Sequence, residues 1–110
     1  MGAQGVVLAA LGAHAKPGSG LEGAAYLLLL HAVAVLAGGV LIERGPLWRP
    51  ALVAATGGWA TGAVLFSGTI AMQAFTGHRP FPLAAPTGGT ILIAAWLALC
   101  VAALIGGRQE

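Results

Sequence analysis

Almost all the polar chemistry that this sequence places inside apolar stretches rests on a few side chains. His14 and His31 fall within the first two apolar runs, while His78 falls in a loop. An imidazole can ligate a metal, relay a proton or take part in a hydrogen bond. A third run, WATGAVLFSGTIAMQAFT from Trp59 to Thr76, carries Ser67, Thr69 and Gln73. At 100° per residue, Thr69 and Gln73 share a helix face with Gly58 and Gly62, and Ser67 lies on the opposite face. The candidate intramembrane polar site is therefore His31, Ser67, Thr69, Gln73 and His14. Gly58, Gly62, Gly88, Gly89 and Trp96 are the candidates for helix packing.

These residue types exclude more chemistry than they support. Ser67 has no carboxylate in any apolar run to complete a triad. Gly88-Gly89 after Pro86 reads as a helix start rather than a phosphate loop. Two haem-ligating histidines must face each other at one depth. Pro17 ends the first run just after His14, leaving it about 10 Å shallower than His31. No cofactor and no metal is expected within one chain. Proton-coupled cation export by a small four-span exporter needs a membrane-embedded acid, and no run interior contains Asp, Glu, Lys or Arg. No enzymatic activity is expected. Two alternatives stay open: a small-molecule or proton pathway through the His31/Ser67/Thr69 layer, and a cofactor-binding anchor subunit of a larger membrane complex.

Composition says what must position these groups. Of 110 residues, 58% are hydrophobic and 7% charged, and the mean hydropathy is +0.90. A soluble domain carries roughly a quarter charged residues, so these few charges cannot build a water-facing surface. An all-α integral membrane four-helix bundle, one transmembrane domain over residues 1–110, is the expected fold, with the lipid bilayer as its partner. The net charge of +2 comes from basic residues scattered over separate loops, which makes no nucleic-acid patch. A single cysteine, Cys100, allows no internal disulfide. It is expected to pack as a small hydrophobe.

The spans are expected at about 2–16, 23–42, 51–76 and 86–107. The first rises only roughly 22 Å against a hydrocarbon core of about 30 Å. It is expected to be a retained span, truncated at its N-terminal end, and not a signal peptide cut at Ala13-His14-Ala15. Lys16-Pro17-Gly18-Ser19-Gly20 stops it, Trp48 sits as an interfacial anchor, and Pro80 and Pro82 stiffen the third loop. Gly58 and Gly62 form a GxxxG pair that admits a neighbouring backbone. Arg44, Arg49 and Arg108 on one side against Lys16 and Arg79 on the other put both termini in the cytoplasm.

Counting residues from the loops gives depths. His31 lies roughly 12 Å and Ser67 roughly 13 Å from the same membrane face. An unpaired polar group in hydrocarbon is costly, so the expectation is a hydrogen bond between His31 and Ser67 or Thr69. The third run then divides into a packing half at Gly58 and Gly62 and a polar half at Ser67 and Thr69.

Four groups of residues carry a family resemblance. They are Gly12-Ala13-His14, His31-Ala32, Leu65-Phe66-Ser67-Gly68-Thr69, and Pro86-Thr87-Gly88-Gly89 with Trp96. In this order the chain resembles domain-of-unknown-function family 423, the transmembrane protein 256-like small four-span membrane proteins. The resemblance implies fold, membrane location and a bacterial-type topology, hence the cell inner membrane, and it implies no reaction. The family pattern has a longer N-terminus. It also has an aromatic residue where Leu11 stands, tyrosine at Leu30, serine at Thr69, and polar residues where Leu27 to Leu30 precede His31. The expected role is a structural or accessory component that forms a homo-oligomer or joins a larger membrane complex.

Overall fold

The computed structural model describes residues 1–15, 18, 20–45, 47–78 and 83–108. The proline stops expected at Pro17, Pro80 and Pro82, and the loop charges Lys16 and Arg79, lie outside the described residues. Four helices follow in order: α1 (Gly2–His14), α2 (Leu21–Arg44), α3 (Arg49–Thr76) and α4 (Ala84–Arg108).

Local chemistry accounts for their ends. In α2, Glu22 lies in the first turn and Arg44 in the last, each opposing the sign of the helix dipole there. Gly45 follows at φ 73°, its N–H bonded to the Leu41 carbonyl. Gly77 closes α3 the same way at φ 76°, onto Gln73. Both occupy a left-handed conformation that glycine adopts without a Cβ penalty. Pro50 and Pro86 sit in the first turns of α3 and α4, where a missing N–H breaks no helical bond.

Leu21–Arg44, Arg49–Thr76 and Pro86–Gly106 are long and apolar enough to cross a membrane. The first helix is not: its 13 residues rise about 20 Å, shorter than the expected span 2–16.

Helices adjacent in sequence pack against each other: α1 on α2, α2 on α3, and α3 on α4. Together they form a slab of 51 × 26 × 16 Å. Small residues bring the backbones close. A Cβ on Gly58 would lie 2.7 Å from the Ala95 Cβ, and one on Gly88 would lie 2.8 Å from the Phe66 backbone nitrogen. Gly62 and Gly88 face each other across the same α3–α4 seam. Around it, Leu28, Ala55, Trp59, Ala63, Leu92 and Ala95 form the buried core. Gly89, expected at a packing surface, faces open space: a Cβ added there would meet nothing within 4 Å. The backbone N–H of Trp48 also reaches the Ala102 carbonyl at 3.1 Å, tying the start of α3 to the end of α4.

The helix register corrects the depth count. Ser67 is level with Ala24, Gly20 lies against Ile70, and Gly38 lies against Thr56. The last turns of α3 therefore extend past the start of α2, and Ser67 falls two helical turns, roughly 10 Å, short of His31.

Candidate functional site

His31 sits near the middle of α2 and is 2% exposed. Its Nδ1 lies 2.7 Å from the Leu27 carbonyl oxygen, and Trp96 Nε1–H donates to its Nε2 at 3.1 Å. A carbonyl can only accept and an indole N–H can only donate. Both bonds together require neutral imidazole with its proton on Nδ1. The His31 and Trp96 rings meet edge-on, with centroids 5.9 Å apart at 67°. Trp96 also packs on Trp59, with centroids 4.6 Å apart at 46°. The three rings join α2, α3 and α4 in one layer near the middle of the three long helices.

The expected His31–Ser67/Thr69 bond is replaced by separate bonds. Ser67, 1% exposed, donates to the Ala24 carbonyl at 3.0 Å, linking α3 to α2. Thr69 is as deeply buried and donates to Leu65 in its own helix at 2.7 Å. Gln73 is exposed near the end of α3, and His14 is exposed in the last turn of α1. These five residues do not form a single polar cluster. The layer of His31 is the layer of Trp59 and the α3–α4 glycine seam, so the packing and polar halves of α3 are not separate. Cys100, expected to be packed, is exposed.

Trp96 was legible only as a packing residue. Tryptophan belongs at membrane interfaces, where its N–H meets water or headgroups. Trp59 and Trp96 instead fall well inside apolar runs, a signal that each needs an internal acceptor. Trp96 has one; among the described residues the buried Trp59 Nε1–H has none.

A cavity of about 400 Å³ separates α1 from α3. Gln4 and Val7 line it from α1, Val64, Ser67 and Gly68 from α3, and Leu28 from α2. Among the described residues, no three His, Cys, Asp or Glu side chains are grouped to hold a metal ion.

The sequence model of the family described as "Protein of unknown function (DUF423)" matches residues 8–89. The chain belongs to this family. No solved structure matches it. In this DUF423 member the matched segment contains His14, His31, Ser67, Thr69, Gln73 and the glycines of the α3–α4 seam. Trp96, the partner of His31, and Gln4, on the cavity wall, lie outside that segment.

Proposed function

We propose that this DUF423 protein is a small multi-pass protein of the cell inner membrane with a structural or accessory, non-enzymatic role. α2, α3 and α4 cross the bilayer as a helical bundle and α1 is embedded beside α2. The excess of Arg44, Arg49 and Arg108 over Lys16 and Arg79 supports cytoplasmic placement of the α2–α3 loop and the C-terminal end. The N-terminal end of α1 points to that same side, since α1 runs antiparallel to α2.

One observation carries the reading. The buried polar side chains His31, Ser67 and Thr69 are all engaged in bonds that hold helices together or close on their own helix. Both His31 nitrogens are engaged, which weighs against haem ligation and against a proton relay. Buried hydroxyl and imidazole groups used this way serve as interhelical glue, worth about 1 kcal/mol each.

An accessory role implies association with a second copy or a larger complex. Purification from native membranes in mild detergent, followed by native electrophoresis, tests it. The expected result is a stable assembly larger than the monomer. A strictly monomeric species that co-purifies with no other protein argues against the reading.

A further inference from the structure

We propose that the turn between α2 and α3 binds one anionic phospholipid, with Arg44 and Arg49 holding its phosphate. The inference rests on the membrane-embedded reading above and adds to it a site and a lipid class.

Backbone bonds hold both ends of this turn in place. Gly45 N–H closes α2 onto the Leu41 carbonyl, and Trp48 N–H fixes the start of α3 to Ala102 at 3.1 Å. Arg49 then reaches back across the turn, its Nη1 donating to the Ile42 carbonyl at 3.5 Å. That contact brings the Arg49 guanidinium to the same end of α2 that carries Arg44.

The polar groups gathered here are donors with almost nothing to donate to. Among the described residues, Arg44 makes no hydrogen bond or ion pair, Glu43 pairs with neither arginine, and Trp48 Nε1–H has no acceptor. Arg49 spends one of its N–H groups on Ile42. Guanidinium and indole groups can only donate, so the set calls for an anion rich in acceptors. The planar fork of arginine matches pairs of phosphate oxygens.

An apolar level lies beneath the charged one. Val40 precedes Arg44 by four residues and Val53 follows Arg49 by four. Each valine therefore shares a helix face with its arginine, roughly 6 Å further into the bilayer. Both valines are exposed. Cations above apolar side chains match the order of phosphate and acyl chain in a phospholipid, whereas free phosphate would use the upper level alone. Two arginines against Glu43 leave the turn positive, which repels the choline group of a zwitterionic lipid and selects a net-anionic headgroup. The exposed Trp48 suits that same headgroup level.

The test begins with carbonate washing of membranes that contain the full chain. A chain that leaves with the supernatant overturns the membrane reading itself. A chain that stays is purified in non-ionic micelles and examined by native mass spectrometry with dioleoyl phosphatidylglycerol, dioleoyl phosphatidylcholine or inorganic phosphate. One phosphatidylglycerol adduct per chain is expected, at least about tenfold tighter than the phosphatidylcholine adduct. Arg44→Gln and Arg49→Gln should each weaken it about fivefold with circular dichroism unchanged. Arg79→Gln removes a charge outside this turn and should leave the adduct as it was. Equal binding of the two lipids overturns the proposal, as does a preference that survives the Arg44→Gln/Arg49→Gln pair. A loss just as large in Arg79→Gln would reduce it to net charge, and displacement of the lipid by equimolar phosphate would make the ligand a free anion; either result overturns it.

Discussion

At the scale of single residues, the two tryptophans inside the long apolar helices differ in a way that burial alone does not predict. Trp59 is 3% exposed and Trp96 is 40% exposed. Buried area alone would make Trp59 the more costly to truncate. Hydrogen bonding reverses the order. Trp96→Phe removes the donor to His31 and leaves a buried acceptor unpaired, at a cost of about 1–3 kcal/mol. Trp59→Phe removes a buried N–H that has no partner, a gain that offsets much of the cavity left by the smaller ring, so the net change stays within about 1 kcal/mol. Unfolding in micelles should rank Trp96→Phe as the more destabilising. The opposite order would mean that the His31–Trp96 bond contributes little. The imidazole itself was recognisable in the sequence as a group needing a partner. Its partner was not, because Trp96 is 65 residues away along the chain and only helix register brings the two together.

At the scale of elements, hydropathy and punctuation marked the helices well. Gly45, Gly77, Pro50 and Pro86 sit at helix ends for reasons visible in their residue type. Register was not legible, because the depth count took the end of α3 to be level with the start of α2. α3 has 28 residues, more than the roughly 20 that a crossing helix needs, and its extra turns extend past α2. A shift of two full turns keeps each residue on its expected face while changing what it meets. This is why Ser67 did face α2 but reached Ala24 instead of His31. The adjacent glycines of α4 illustrate the same limit, since residue type alone cannot separate them. At Gly88 a new methyl would meet the backbone of α3, and at Gly89 it would meet nothing. Gly88→Ala should destabilise by about 1–3 kcal/mol as α4 is forced off α3. Gly89→Ala should be neutral or stabilise by up to about 1 kcal/mol through helix propensity. Equal effects at the two positions in a micelle unfolding assay would place the seam elsewhere.

At the scale of the whole molecule, a broad apolar surface remains for the surroundings to cover. Leu97, Val101 and Leu104 are 62%, 43% and 65% exposed on α4, and the exposed Cys100 lies among them. In a bilayer that surface meets acyl chains, and Cys100 lies roughly 12 Å in from the end of α4. A thiol there is cut off from charged, water-dissolved reagents. Two probes applied to intact membranes separate the possible environments. A charged, membrane-impermeant maleimide should leave Cys100 unmodified from either face. A lipid-dissolved diazirine, whose carbene inserts without needing ionisation, should label the segment from Leu97 to Leu104. Rapid maleimide labelling would mean that α4 faces water and would overturn the membrane placement. Protection from both probes would mean that another protein surface covers this face of α4, which would identify the contact through which the chain joins its assembly.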